Sequence, residues 1–331
     1  MTALAVAQPP FIAAGRPEAI ARLAVACLRL ELETYPKPGL VSHVGSGSHA
    51  DMDAGSFRAS AAALEPFFAD LARAGAAGAP MPALRRIGLA AESAMRDATG
   101  GVNTHRGAIF GLGLLCAAAG ATGLAPRTPR PDPVPPLTRD LILRGREAAS
   151  EVASEVASDE ACGAEASESP APPIGPLGAL IRARYAEGIL DGPVLLHAPG
   201  ARARRRHGIG GAPVEAAAGF LTLYGIGLPA LRRGRRWRPE DTEAARVEAC
   251  LALIAHLEDT NLLHRGGPEG YAFARAEAAR FLAGGGVARA GWRARAEHLH
   301  RAFVARNLSP GGAADLLAMV LFVDAVEGGA A

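Results

Sequence analysis

The sequence predicts an all-α protein: one globular multi-helix domain of nine or ten helices, with an acidic insertion between two helical halves. Three observations carry this reading. Period-2 alternation over five or more residues is scarce, and aromatic residues make up only 5% of the chain, so the usual strand signals are missing. Apolar residues recur instead at helical spacing. Proline and glycine punctuate these stretches where helices open and close.

Pro17 opens the first helix, over 17–33, with Ile20, Leu23, Ala24, Cys27 and Leu30 or Glu31 on one face. A second spans 54–74 and stops at Gly75, with Pro66 expected to kink it. Pro82 sits at the opening of a helix over 83–98, closed by Gly100 and Gly101. The stretch 104–119 reads as a buried helix closed by Gly120. In the C-terminal part, 239–264 reads as one long helix stopping at Gly266 and Gly267, followed by 268–283 and 292–306. Ser309 then supplies an N-cap oxygen and Pro310 a preset first turn for a last helix, to about residue 326.

The domain reading is one all-α domain over 1–331: a first helical half over 17–120, a linker and insertion over 121–175, and a second half over 176–327. Within the middle, 121–136 is Pro-rich, and 147–173 repeats Ala, Ser and Glu with Val152 and Val156 as its only large apolar residues. Such a segment contributes little core and reads as acidic and partly disordered. The two halves are expected to pack together, because neither holds a complete set of polar functional groups alone.

With 49% hydrophobic and 21% charged residues, the composition is that of a globular chain. The apolar runs 108–119 and 316–323 fall short of the roughly 18 residues of a membrane span. Residues 1–15 carry no basic region ahead of their apolar stretch, so no secretory signal is expected. Cys27, Cys116, Cys162 and Cys250 form no CxxC pair, which fits a reducing cytoplasm and no zinc ribbon. A net charge of +2 implies no broad nucleic-acid surface; the arginine groups at 202–206 and 232–238 read as solvated faces. Glu92 and Glu215 are single carboxylates in apolar helical patterns.

Lys37 is the only lysine among 35 basic residues, and asparagine occurs only at Asn103, Asn261 and Asn307. In a chain that otherwise uses arginine, these survivors mark positions where a compact ammonium or a neutral amide is required. All lie in loop-like clusters. Pro36 and Pro38 flank Lys37 and present its ammonium at low entropic cost, with a phosphate as the expected partner. Downstream, His49 is followed by Asp51 and Asp53, which either share a divalent cation or form a solvated turn with Asp53 as N-cap. Asn103, Thr104, His105 and Arg106 follow two glycines at a helix start, a place for an anion, without Walker A spacing. Asp259 falls near the end of the long helix, where a carboxylate is electrostatically disfavoured. Asn261 and Arg265 lie four apart, as a polar wall for a nucleotide. Ser309, Gly311 and Gly312 open another helix start that suits an anionic group, with Asp315 one turn in.

In this order the clusters resemble the triphosphoribosyl-dephospho-CoA synthase family. The motifs are Glu31 with PKPGL (36–40), GSHADMD (47–53), Glu92 with TGGVNTHRGAIF (99–110), DTNLLHRGG (259–267) and LSPGGAADLLA (308–318). The likeness runs over about 20–120 and 205–325. LETYPKPGLVSH (32–43) and NTHRGAIFGLGLLCAA (103–118) look most like the malonate decarboxylase branch. Two features depart from it: Pro213 stands where the family usually has an arginine, which puts the demand on one of Arg204, Arg205 and Arg206, and the insertion over 147–173 is peculiar to this chain.

The resemblance implies transfer of the triphosphoribosyl group of ATP to the 2′-hydroxyl of 3′-dephospho-CoA, with release of adenine. Glu31, Glu92, Asp51 and Asp259 are then the catalytic candidates, Glu31 or Glu92 as base or oxocarbenium stabiliser. Lys37, His49, Thr104, His105, Arg106, Arg265, Ser309, Gly311 and Gly312 would hold phosphates or nucleotide, with Asn103 and Asn261 on ribose or base. Mg²⁺ would accompany ATP on Asp51, Asp53 and Asp315, or on Asp259. The resemblance further implies that the product goes on to an acyl-carrier-protein transferase. Alternatives are service to citrate lyase, or a non-catalytic nucleotide-binding assembly factor. No nucleic-acid or membrane partner is expected, and a homodimer is an allowed assembly.

Overall fold

The computed structural model describes residues 16–123, 174–193 and 199–328. Among the described residues there are twelve α-helices and no strand. The first four are α1 (Arg16–Leu32), α2 (Ala54–Ala76), α3 (Met81–Ala98) and α4 (Arg106–Thr122); α5 (Pro176–Leu190), α6 (Pro199–His207) and α7 (Gly211–Ala217) follow. After a π-helical turn at Leu223–Gly227 come α8 (Leu228–Trp237), α9 (Thr242–His256) and α10 (Thr260–Ala283). A 3₁₀ turn at Gly286–Ala288 precedes α11 (Trp292–Ala305) and α12 (Gly311–Glu327). The all-α expectation holds. The readings of 124–136 and 147–173 lie outside the described residues.

One hydrophobic core takes side chains from both helical halves. Its centre is α4, buried on nearly all sides from Ala108 to Gly120, with α2 packed along one face and α12 along another. A helix this apolar has no polar stripe to turn outward, so other helices must surround it. Gly120 does not close α4 as expected; the helix runs on to Gly123, and a Cβ at Gly120 would fall 2.0 Å from the Ala72 carbonyl oxygen of α2. The glycine serves the helix crossing. Pro66 lies within an unbroken α2.

The C-terminal half departs most from its expected form. The single helix expected over 239–264 is broken at Leu257–Asp259 into α9 and the start of α10. At Gly267, where a stop was expected, the backbone does leave helical geometry (φ 61°, ψ −168°) before Pro268 resumes it. Pro310 occupies the N-cap of α12, and the Ser309 side chain makes no cap bond. Glu215 accepts from the Thr222 N–H at 2.7 Å and its hydroxyl at 2.9 Å, pinning the turn ahead of the π-helical segment. In the second arginine group, Arg232 and Arg235 reach Asp324 and Arg233 pairs with Glu248. Those charges serve helix packing as well as solvent.

Candidate active site

A cavity of about 920 Å³ lies between α1, α2, α3, α4, the end of α5, α6, α7, and the starts of α10 and α12. Residues from every sequence cluster line it, although the clusters lie far apart in the chain, His49 and Ser309 by 260 positions.

Glu31, at the end of α1, faces this cavity yet is only 4% exposed. Behind it the Lys37 ammonium pairs with its Oε1. Burial pushes the Glu31 carboxyl up, and the lysine charge opposes that shift. The Lys37 carbonyl accepts from His300 Nδ1 at 2.7 Å, which holds the proline-flanked loop. Lys37 itself is 0% exposed and off the cavity wall. The expected presentation to a phosphate is therefore not what this geometry offers; the ammonium holds a carboxylate that faces the cavity.

Carboxylates also occupy the helix starts expected to receive anions. Asp259 is the N-cap of α10, with Oδ1 accepting from Asn261 N–H at 2.8 Å and Leu262 N–H at 3.3 Å. Its Oδ2 accepts from the Ala313 N–H of α12 at 3.0 Å. Its place is thus the start of a helix, where the dipole favours a negative charge, rather than the end of one. Burial raises its carboxyl, and the N–H groups of Ala313, Asn261, Leu262 and Gly312 pull it down. Asp315 lines the cavity one turn into α12 and leans on the start of α4, near enough that a Cβ at Gly107 would fall 2.0 Å from its Oδ2. Burial first, then Glu31 and Asp259, hold the Asp315 carboxyl well above the usual range, while the Ala108 N–H opposes them. Gly311 and Gly312 line the wall, Gly311 against the Asn261 side chain.

The 47–53 loop is tied to the far end of the chain. His49 Nε2 lies 2.8 Å from Ser309 Oγ, and the Ser48 hydroxyl donates to the Leu308 carbonyl at 2.7 Å. Arg265 donates to the carbonyls of Ser48 and Asn307, the latter at 2.9 Å. Burial and then the Arg265 guanidinium lower the His49 imidazole, with Asp51 pulling the other way from 3.6 Å. Asp51 lines the cavity with its side chain 65% exposed. Asp53 is elsewhere: it forms a capping box with Ser56 at the start of α2 and is off the cavity wall. The two aspartates expected to share a cation are given different tasks.

At the start of α4, Asn103 accepts from the Arg106 N–H at 3.3 Å, and the Arg106 guanidinium pairs with Glu92 at 3.2 Å. The Thr104 hydroxyl is buried without a hydrogen-bond partner among the described residues. His105 is 3% exposed, with Nδ1 at 2.6 Å from Ser60 Oγ and Nε2 unpartnered. Burial, then the nearby Lys37 charge, lower it to about 3, so the ring is neutral at physiological pH and is no cationic phosphate holder.

Sequence reasoning missed Ser60 and Arg85, and it named Arg204 only together with Arg205 and Arg206 as a stand-in for the arginine absent at Pro213. Ser60 is one small residue on an alanine-rich buried face, and nothing local marks it. Arg85 and Arg204 join Arg106 and Arg265 as half-buried arginines on the cavity wall. Arg204 packs beside Gly211, two residues from the Pro213 departure, so a guanidinium is present at that place. Among the described residues, no three His, Cys, Asp or Glu side chains converge as a metal site. No described helix is long and apolar enough to cross a membrane.

Residues 17–331 match the family described as ATP:dephospho-CoA triphosphoribosyl transferase. A protein of Albidiferax ferrireducens named probable 2-(5''-triphosphoribosyl)-3'-dephosphocoenzyme-A synthase is 37% identical over 312 residues, 92% of this chain and 90% of its own. One of the same name from Pseudomonas aeruginosa is 39% identical over 320 residues, 94% and 93% of the two chains. A Pectobacterium atrosepticum protein with that name, without "probable", is 36% identical over 302 residues, 88% and 84%. No solved structure matches the chain.

Proposed function

Because the chain belongs to the ATP:dephospho-CoA triphosphoribosyl transferase family, we propose that its cavity transfers the triphosphoribosyl group of ATP to the 2′-hydroxyl of 3′-dephospho-CoA and releases adenine. One observation carries this: the same cavity holds a buried carboxylate and half-buried arginines. Charge develops in opposite senses at the two places this reaction needs it. The ribose C1′ becomes positive as the glycosidic bond lengthens, and a nearby carboxylate stabilises it. The triphosphate stays anionic throughout and calls for fixed cations.

Glu31 takes the first task, because Lys37 favours its charged form behind the cavity wall. Arg85, Arg106, Arg204 and Arg265 take the second from the wall, since carboxylates already occupy the starts of α10 and α12. Asn261 faces the ligand as a neutral amide suited to ribose or base. The 2′-hydroxyl proton goes to a cavity carboxylate, Glu31 or Asp315. Magnesium would travel on the triphosphate, its coordination mostly phosphate oxygen and water, with Asp51 the exposed carboxylate nearest to hand at the wall.

The stretches over 32–43 and 103–118 support service to malonate decarboxylase rather than citrate lyase, with the product passed to an acyl-carrier-protein transferase. The test is incubation with ATP, Mg²⁺ and dephospho-CoA followed by mass analysis. Free adenine and the triphosphoribosylated product are expected in equal amounts. No adenine from folded protein would end this reading.

A further inference from the structure

His105 lines the cavity and carries a buried ring nitrogen that has no hydrogen-bond partner among the described residues. The ring is 3% exposed and lies edge-on to Phe57, 4.8 Å between ring centres. The His105 N–H donates to Met95 Sδ at 3.2 Å, so the backbone is held as well. Nδ1 faces Ser60 Oγ at 2.6 Å, Ser60 is 0% exposed, and that ring nitrogen is its one side-chain partner among the described residues. A buried hydroxyl with a single acceptor available gives it its proton. Nδ1 then carries the lone pair, and the ring proton resides on Nε2. That N–H has no partner among the described residues, and His105 lines the cavity. A buried donor left without an acceptor is destabilising, and a ligand acceptor at this point removes that cost.

A neutral N–H suits a neutral acceptor that gains negative charge, such as a purine nitrogen, better than a phosphate. Resting on the transferase reading above, we propose that His105 is a catalytic hydrogen-bond donor to the departing adenine, and that Ser60 is the positioning residue that fixes its Nε2–H tautomer. As the C1′–N9 bond breaks, its electron pair goes to adenine and spreads onto N3 and N7. The 2′-oxygen of dephospho-CoA forms the new bond to C1′, and its proton ends on adenine by way of the cavity carboxylate. His105 keeps its own proton throughout. Its hydrogen bond strengthens only as adenine gains charge, so it acts on the transition state.

The test pairs a spectroscopic readout with a substrate cycle on the full chain. Long-range ¹H–¹⁵N correlations of histidine-labelled protein, assigned by His105→Gln, should show the His105 proton on Nε2. Ser60→Ala should scramble that preference, and adenine should shift the resonance. In adenine-release assays, His105→Ala should lower kcat by about 10²–10³-fold with KM for ATP little changed. Ser60→Ala should show a smaller loss of the same kind. The deciding arm uses 7-deaza-ATP and 3-deaza-ATP: one analogue should lose its handicap relative to ATP in His105→Ala. Handicaps unchanged in the variant, or an Nδ1–H tautomer in the wild type, overturn the proposal. A wild type that releases no adenine defeats the transferase reading and the catalytic role with it, whereas an adenine-shifted His105 signal would still support a purine site.

Discussion

The carboxylate of Asp259 accepts from the backbone N–H of Ala313 across 3.0 Å and so joins the start of α12 to the start of α10, which it also caps. Two helix starts converge on one buried carboxylate, and their N–H groups oppose the upward push of burial on it. The bond also fixes the spacing of two cavity walls, because Asn261 leaves one helix start and Gly311 the other, in contact. A residue off the cavity wall thereby sets the width of the site.

Asp259→Asn tests that arrangement. One carboxylate oxygen becomes an amino group, so one helix start faces a donor in place of an acceptor. The expected loss is about 2 kcal/mol, read as a lower urea midpoint at unchanged slope, together with weaker ATP binding. An unchanged midpoint would show that the bridge contributes nothing.

The Glu31–Lys37 pair makes a second prediction. Lys37→Met leaves a buried carboxylate without its partner and should cost about 3–5 kcal/mol. Adding Glu31→Gln should restore most of that stability while turnover stays lost, since the cavity carboxylate is gone. Lys37→Arg should also lose stability, because a side chain with 0% exposure leaves no room for a guanidinium. Denaturation of the two single variants and the double variant measures the coupling directly.

Much of this was legible in the sequence. Of the scarce residues, Asn103 and Asn261 line the cavity, the lone Lys37 holds the Glu31 carboxylate and Asn307 holds Arg265, because a chain free to use arginine kept other chemistry there. The helix class followed from periodicity and punctuation. Long-range pairing was not legible. Residues 255–261 contain no Gly or Pro, so periodicity ran straight through the break, where the Asp259 side chain caps the Asn261 and Leu262 N–H groups and reaches α12. Lys37 looked presented because its prolines are local, whereas Glu31 closes over it through the fold. Ser60 gains its meaning only from a histidine 45 positions away.

Asp315 predicts a pH dependence. Burial, with Glu31 and Asp259 nearby, raises its carboxyl well above the usual range. The native chain therefore keeps this proton at pH values where the unfolded chain has released it. The stability from that difference is fully present below the ordinary aspartate value of about 4 and is lost as pH rises toward the native one. Asp315→Asn has no proton to lose. Its stability relative to the wild type should climb from pH 4 toward pH 8, and a flat difference across that window would contradict the assignment.

The last prediction separates two neighbouring aspartates. Asp53 accepts from the Ser56 N–H at 2.8 Å, and the Ser56 hydroxyl returns to the Asp53 backbone. Asp53→Asn should be nearly silent, because asparagine caps as well as aspartate, and Asp53→Ala should lower Tm without touching nucleotide affinity. Asp51 instead stands at the cavity wall, beside His49 and largely exposed. A hard cation carried on the triphosphate wants a charged oxygen there. Asp51→Asn keeps the shape and removes the charge, so the gain in ATP affinity on adding Mg²⁺ should shrink in this variant and persist in Asp53→Asn. Calorimetric titrations of both variants, with and without Mg²⁺, read the difference. If the magnesium gain is intact in Asp51→Asn, Asp51 does not hold the cation, and Asp315 becomes the residue to test next.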